Sequence, residues 1–404
     1  MADGKVLGGI LLIAGTAIGA GMLAMPISTG VVGFANAMFI ICLTFVYMLV
    51  CLFLLLEAKL HCQGSNIISM ARETLGAKGS TIAWISFLLL LYSASAAYIS
   101  GGGSLLISVD YLHQMFSQKQ AIILFAGIFA LVGFLGIKFI DVLNRFFMLG
   151  LAAAYILLIF TVSPHIKPEN LTSAGHINLI WATVPILILS FTSHIILPSL
   201  KQYYNNNIAK LKKVLIIGSV IPLLVYLVWE LMLLGVIPQS GANSLQTVAR
   251  AIDPLATINQ ILVHKNVHGM ALANAAFSFF ALVTSYLGVI LSLADFIADG
   301  LNTGKDVKSR LFVILLTCVP PLLFALYFPS GFLMALSYAG VFVAILFCIL
   351  PVLIVWKMRY CTDSKPVEYK FPTGKIGLAF IGCIGIGIII LQILATNGFL
   401  PEII

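Results

Sequence analysis

Charge is what this sequence has least of. Only 9% of its 404 residues are Asp, Glu, Lys or Arg, against about 25% in an ordinary soluble domain. The 14 acidic residues are scattered, so an enzyme with clustered carboxylate or histidine ligands, or with a nucleophile–base pair, is not indicated. His194 has no HExxH-like partner. The seven cysteines (Cys42, Cys51, Cys62, Cys318, Cys348, Cys361 and Cys383) are odd in number and show no CxxC spacing. That excludes a disulfide frame and a thiolate metal site; no cofactor and no metal are expected. Rings of charge and pore-lining repeats are missing too, which argues against an ion channel. No soluble output domain is present for a receptor. Nor is a cleavable leader expected, because the apolar run after Lys5 is too long for one and has no A-x-A exit.

What is abundant is apolar sequence: 61% of residues, with a mean hydropathy of +1.10. In lipid every backbone polar group must be satisfied internally, so such a chain is read as an all-α integral membrane protein. Stretches of about 20 apolar residues suffice to cross a bilayer. Eleven occur, at 6–33, 34–58, 81–109, 120–140, 143–163, 177–200, 211–237, 269–298, 310–328, 331–356 and 375–398. Between the seventh and eighth lies a connector, 238–268. Its Leu245, Val248, Ile252, Leu255, Ile258 and Ile261 recur at helical spacing, as on an amphipathic surface helix.

With the N-terminus placed in the cytoplasm, 18 of the 22 Lys and Arg residues fall on that side. The other four, Lys119, Lys167, Arg250 and Lys265, fall outside. Positive residues concentrate inside, so the split supports both the count and the direction, and it places the C-terminus outside. The net charge of +8 is then a topology signal and no sign of a nucleic-acid partner.

Two crossings carry an interruption. In the first, Gly15, Gly19 and Gly21 fall within seven residues, and each glycine weakens a helix by about 0.5–1 kcal/mol relative to alanine. Close helix packing through small residues is one explanation. The other is a broken helix whose second half starts with backbone N–H groups suited to a carboxylate. The sixth crossing has Ser190-Phe191-Thr192-Ser193-His194 at its middle. Interruptions five crossings apart fall at matching positions of two inverted halves, the arrangement of secondary transporters. The expected organisation is a first repeat over 1–163 and an inverted second over 164–356, with a loop and extra helix over 357–404.

The stretch A-G-T-A-I-G-A-G-M-L-A-M-P (14–26) resembles the opening of the bacterial hydroxy and aromatic amino acid permease family, its tyrosine-specific members above all. Similar pieces run nearly end to end: L-L-L-E to Glu57, A-A-Y-I-S-G (96–101), N-R-F (144–146), P-S-L (198–200), T-S-Y-L-G-V (284–289), A-D-F-I-A-D around Asp295, P-P-L-L-F-A-L (320–326) and Y-A-G (338–340). The resemblance implies the amino acid–polyamine–cation superfamily. It also implies the five-plus-five leucine-transporter fold with helices 1 and 6 broken, in a bacterial inner membrane. The implied activity is import of an aromatic amino acid by proton symport with alternating access, tyrosine ahead of tryptophan and phenylalanine.

By the same match, backbone N–H groups around Ala20, Gly21 and Met22 meet the substrate carboxylate, with Ala17 and Gly19 also counted as substrate-binding. The broken sixth helix, Ser190, Phe191, Thr192 and Ser193, offers carbonyls to the ammonium group, His194 is counted as substrate-binding beside them, and the Tyr98 hydroxyl reaches the carboxylate. Two departures bear on specificity and coupling. The family's S-F-G-F-H-G at the second break reads S-F-T-S-H-I here (190–195), and a lysine that relatives carry shortly after N-R-F is replaced, with Leu151 in its place. Sodium coupling through Gly15, Ile18, Ala281, Thr284 and Ser285 is therefore an alternative, as is another neutral amino acid as substrate. Thr284 and Ser285 can equally back-bond to their own helix. His194 can relay protons, bind substrate or hydrogen-bond a neighbouring backbone. Glu57 and Asp295 read as inner-gate or structural ion pairs, with Arg145 or Lys305 as partners for Asp295 and Asp299. Glu230, in the seventh crossing beside Trp229, is left without an assigned role.

Overall fold

The computed structural model describes residues 2–64, 66–108, 114–204, 207–251, 253–264, 268–304, 306–362, 367–397 and 399, without the side chains of 2–5, 20, 264 and 268. Lys265, Lys305 and Lys365 of the charge count, and Ile252 of the connector, lie outside those residues. Among them, ten helical stretches are long and apolar enough to cross a membrane. Val6–Ala17 and Gly21–Val32, bent by 52° at a short break, make an eleventh. Every described element is helical.

The first crossing is α1 (Ala2–Ala17) and α2 (Ala20–Thr29). The second is α3 (Phe34–His61), the third α4 (Ile67–Ile107), the fourth α5 (Gln118–Leu135) and the fifth α6 (Ile137–Val162). A short α7 (Pro168–Thr172) leads to the sixth crossing, split into α8 (Ile180–Ser190) and α9 (Leu197–Tyr203). Then come α10 (Ile208–Val236), the connector helices α11 (Leu245–Arg250) and α12 (Pro254–His264), α13 (His268–Leu301) and α14 (Val307–Tyr327). The tenth crossing runs through α15 (Phe332–Val343), a π-helical turn at Ala344–Ile349 and α16 (Leu350–Tyr360); α17 (Lys375–Thr396) is the eleventh. Helices apolar nearly all round pack on each other or face lipid, and their starts are marked by polar caps. Asn66 with Ser69 and Ser117 with Gln120 form reciprocal capping boxes, and Asn207 and Asp306 cap α10 and α14.

The third crossing begins well before the expected residue 81. Met70, Ala71 and Thr74 are buried while Arg72, Glu73 and Lys78 are exposed, so the charges lie on one face of a continuing helix. Gly76, at φ 77°, only kinks it. The connector folds as two short helices, because Pro254 breaks the run and Asp253 caps the second through the Ala256 N–H at 3.0 Å. Its Leu245, Val248, Leu255, Ile258 and Ile261 are buried.

Prolines inside helices shape the packing. Pro26 of α2 has no N–H for the Met22 carbonyl, and the Trp229 indole Nε1 donates to that oxygen at 2.9 Å. Pro320 of α14 likewise leaves the Leu316 carbonyl, to which the Tyr92 hydroxyl donates at 2.9 Å. In both cases a neighbouring crossing supplies the missing donor.

One end of the bundle gathers the basic residues. Arg359 clamps Glu57, Lys201 donates to the Lys59 carbonyl at 3.2 Å, and Lys212 lies 4.9 Å from the centre of the Tyr369 ring. These residues belong to four crossings and the loop before α17, and the charge count assigns the lysines and the arginine among them to one side. Arg145 does not pair with Asp295 or Asp299 as expected. It bonds Asp141 one helical turn away, at 2.8 Å on the surface, since that carboxylate is already on its own face of α6.

Candidate functional site

The first crossing breaks at Ile18 and Gly19, the centre of the glycine cluster, and the sixth breaks after Ser190. The two breaks touch. A Cβ on Gly21 would lie 2.5 Å from the Ser190 hydroxyl and 3.2 Å from its Cα. A Cβ on Gly19 would lie 2.4 Å from the Ser285 hydroxyl on α13. The glycines thus serve both readings of the sequence, since the helix is interrupted and its small residues admit close neighbours.

A residue that the sequence did not single out joins the breaks. The Tyr226 hydroxyl of α10 is 2.7 Å from the Ala17 carbonyl and 2.8 Å from the Ser190 carbonyl, the last residues of α1 and α8. Helix ends leave such carbonyls without intrahelical donors, and the phenol brings its one proton within reach of both. Trp229 and Glu230 follow on the same face of α10. Trp229 holds Met22 at the start of α2, and Glu230 Oε1 lies 2.8 Å from Thr29 Oγ1 at its end. Tyr, Trp and Glu at i, i+3 and i+4 in an apolar helix was the available signal.

Around the first break, the Met22 N–H bonds the Gly19 carbonyl at 3.0 Å, leaving the amides of Ala20 and Gly21 ahead of it in the first turn of α2. The Ala20 side chain lies outside the described residues. Tyr98 of α4 is buried, within hydrogen-bonding reach of Ser285 and edge-on to Tyr286. Gly19, Tyr98 and Ser285 therefore converge. Around the second break, Ser190 and Thr192 donate their hydroxyl protons to Ile186 and Ile188, each at 2.8 Å. The Phe191 ring packs between Phe45, at 5.6 Å, and Tyr226, at 5.2 Å. Ser193 and His194 are buried in the turn that follows.

His194 points away from that convergence. Its Nε2 lies 3.1 Å from the Met48 carbonyl of α3, and its ring stacks on Phe347 of the π turn at 5.4 Å. A carbonyl only accepts, so Nε2 carries the proton. The oxygen set weighed for sodium is also hydrogen-bonded locally. Thr284 donates to the Phe280 carbonyl at 2.8 Å and Ser285 to the Ala281 carbonyl at 2.8 Å. Ser285 nevertheless stands against the first break, as the Gly19 contact shows. Leu151 is buried in α6, beside neither a lysine nor an acid on its own turn.

Cavities flank the breaks. One of about 270 Å³ opens between α2, α8, α15 and α17, lined by Ser28, Ile186, Ser337, Tyr338 and Gln392. Another of about 90 Å³ lies toward the basic end, bounded by Asn66, Met70, Phe87, His194 and Phe296. A space of about 10 Å³ beside Ala17, Phe191, Ser193 and His194 is the size of a water molecule. Among the described residues, no group of His, Cys, Asp and Glu could hold a metal ion.

This architecture of broken crossings meets a matching record of sequence likeness. Residues 2–392 match the tryptophan/tyrosine permease family. The chain is 34% identical to tyrosine-specific transport system 1 of Haemophilus influenzae, over 99% of both proteins. To tyrosine-specific transport system 2 of the same organism it is 32% identical over the full length of both. A tryptophan-specific transport protein from that organism is 30% identical, over 98% of this chain and 97% of its own. With a match spanning nearly every crossing, this chain is a multi-pass permease rather than an enzyme, and it belongs to the tryptophan/tyrosine permease family.

Proposed function

We propose that the protein imports an aromatic amino acid, tyrosine ahead of tryptophan or phenylalanine, by proton symport with alternating access about its two broken crossings. The observation that carries this is the meeting of the breaks, Gly21 against Ser190, with Tyr226 bonded to both helix ends. Two half-helices tied at one point can tilt about it without losing their ends to solvent. The amides opening α2 suit the substrate carboxylate, and the carbonyls closing α8 suit its ammonium group. Tyr98 lies at the side of the first break and Phe45 and Phe191 beside the second, offering hydroxyl and ring surfaces to an aromatic side chain. The separate cavities on either side of the breaks fit a substrate route closed at its middle.

The basic end of the bundle faces the cytoplasm of a bacterial inner membrane in this proposal, with the N-terminus inside and the C-terminus outside. The two repeats, 1–163 and 164–356, rock against each other, and 357–404 adds the eleventh helix. Of the two coupling ions, the proton is favoured, because the Ala281, Thr284 and Ser285 oxygens hydrogen-bond within their own helix and bring no carboxylate.

The test is uptake of labelled tyrosine into proteoliposomes under separately imposed proton and sodium gradients, with tryptophan, phenylalanine and leucine as competitors. Accumulation that follows the proton gradient and is blocked by the aromatic competitors is expected. Sodium-driven uptake abolished by Thr284→Ala with Ser285→Ala would replace the proton with sodium. Transport of leucine but of no aromatic would show that the altered second break has changed the substrate.

A further inference from the structure

Glu230 is fully buried, and among the described residues its carboxyl is in no ion pair. Its Oε2 has no hydrogen-bond partner, and its Oε1 meets only Thr29 Oγ1. The other fully buried carboxyl among the described residues, Glu57, is clamped by Arg359. A buried carboxylate without a cation is costly, so ionisable groups left so in a membrane protein serve a function by default.

The hydroxyl of Thr29 shows which form fits. Its oxygen lies 2.7 Å from the Met25 carbonyl and 2.8 Å from Glu230 Oε1, yet it has one proton to give. If Glu230 is ionised, that proton is drawn to the carboxylate, away from Met25, and the charge stays buried. If Glu230 is neutral, its own O–H donates to Thr29, Thr29 donates to Met25, and both contacts are satisfied.

The surroundings supply no substitute charge. No residue of α2 is ionisable. On the same end of α10 pack the turn after α6 and α7, with His165, Lys167 and Glu169, all exposed at the rim. At that end Arg250 of α11 is exposed as well. The α3 groups Tyr47, Cys51, Glu57, Lys59 and His61, Lys201 of α9 and the lysines of α10 itself lie further along, toward the basic end. Lys5 of α1 belongs to that end too. From α6 the Tyr155 hydroxyl donates to the Val225 carbonyl, and Asp141 and Arg145 pair at the surface; α13 packs Phe277 on Trp229.

The geometry points to Glu230 as a proton-binding site that couples transport to the proton gradient, with α2 docking on α10 only when the carboxyl is neutral. This rests on the symport proposed above. Closure of α2 takes one proton from water onto the Glu230 carboxylate, forming the acid that donates to Thr29. When the Thr29 contact opens and water reaches the carboxyl, the acid ionises and the proton returns to solvent. No other bond changes.

Two measurements on reconstituted full-length protein test it. In proteoliposomes Glu230→Gln, a permanent neutral mimic whose amide can donate to Thr29, should keep tyrosine counterflow within about threefold of wild type. It should lose proton-driven accumulation by about tenfold or more. Infrared difference spectra between acidic and alkaline buffer, taken without substrate, should show a protonated-carboxyl band that disappears in Glu230→Gln and shifts in Thr29→Val. Proton-driven accumulation at wild-type level in Glu230→Gln, or a carboxyl band unchanged in that variant, overturns the proposal. If wild type moves no aromatic amino acid, the transport proposal fails, while the infrared band still decides the case of Glu230.

Discussion

The hydroxyl of Tyr226 rests 2.7 Å from the carbonyl oxygen of Ala17, at the point where the first crossing stops being helical. The same hydroxyl lies 2.8 Å from the Ser190 carbonyl, so its single proton is within reach of two helix ends that are far apart in sequence. Tyr226→Phe keeps the ring between Phe191 and the breaks and removes only that donor. It should cost about 1–3 kcal/mol of stability, the range for leaving buried acceptors unpaired. Transport should fall more steeply than protein yield, which reconstitution at matched protein amounts checks.

Trp229 and Pro26 form a thermodynamic pair. Trp229→Phe leaves the Met22 carbonyl without a donor and should destabilise by about 1–3 kcal/mol. Pro26→Ala restores an N–H at the residue whose partner Met22 would be. In the Pro26→Ala background the Trp229→Phe cost should shrink by at least half, measured by thermal unfolding in detergent as a double-mutant cycle. Equal costs in both backgrounds would show that the indole acts through packing alone.

At the basic end, Glu57 accepts from Arg359 Nε at 2.6 Å and from the Phe371 N–H at 2.7 Å, while Arg359 also donates to the Phe371 carbonyl at 2.8 Å. The network fastens the loop before α17 to the end of α3. Arg359→Ala strands a buried carboxylate and should cost about 3–5 kcal/mol, whereas Glu57→Gln with Arg359→Gln should cost less than the single change. Limited proteolysis of the loop between α16 and α17, 361–374, should accelerate in Arg359→Ala first.

Asp253 caps α12 from a nearly enclosed position, and burial raises its carboxyl above the usual range, against the opposing pull of the Ser104 hydroxyl and the α12 amides. For an acid whose folded value is raised, the stabilising share is complete below the unfolded value. It is lost as pH climbs through the folded one. Melting temperature should therefore decline from mildly acidic to neutral pH by an increment absent from Asp253→Asn, because asparagine keeps the cap but carries no charge. A parallel pH profile in the two proteins refutes this.

The sequence carried the architecture well because membrane crossings are written in composition. Apolar length and the alternation of Lys and Arg lay down the crossings, and Gly15, Gly19 and Gly21 marked the first break within a residue or two. It carried less where a contact joins distant segments. Nothing local to Tyr226 announces that its hydroxyl meets Ala17 and Ser190. The run before residue 81 was obscured because Arg72, Glu73 and Lys78 interrupt the apolar pattern while Met70, Ala71 and Thr74 continue it on the other face. His194 was ambiguous for another reason: a tight turn after Ser193 rotates its ring toward Met48, and no periodicity encodes that rotation.

The prolines have a mechanical corollary. A helix that borrows its missing donor from a neighbour cannot travel freely of that neighbour. Trp229 harnesses the seventh crossing to the second half of the first, and Tyr92 harnesses the third crossing to the ninth through Leu316. Under the alternating access proposed above, the moving parts of this permease are couples of helices, and the seams of that motion run between the couples.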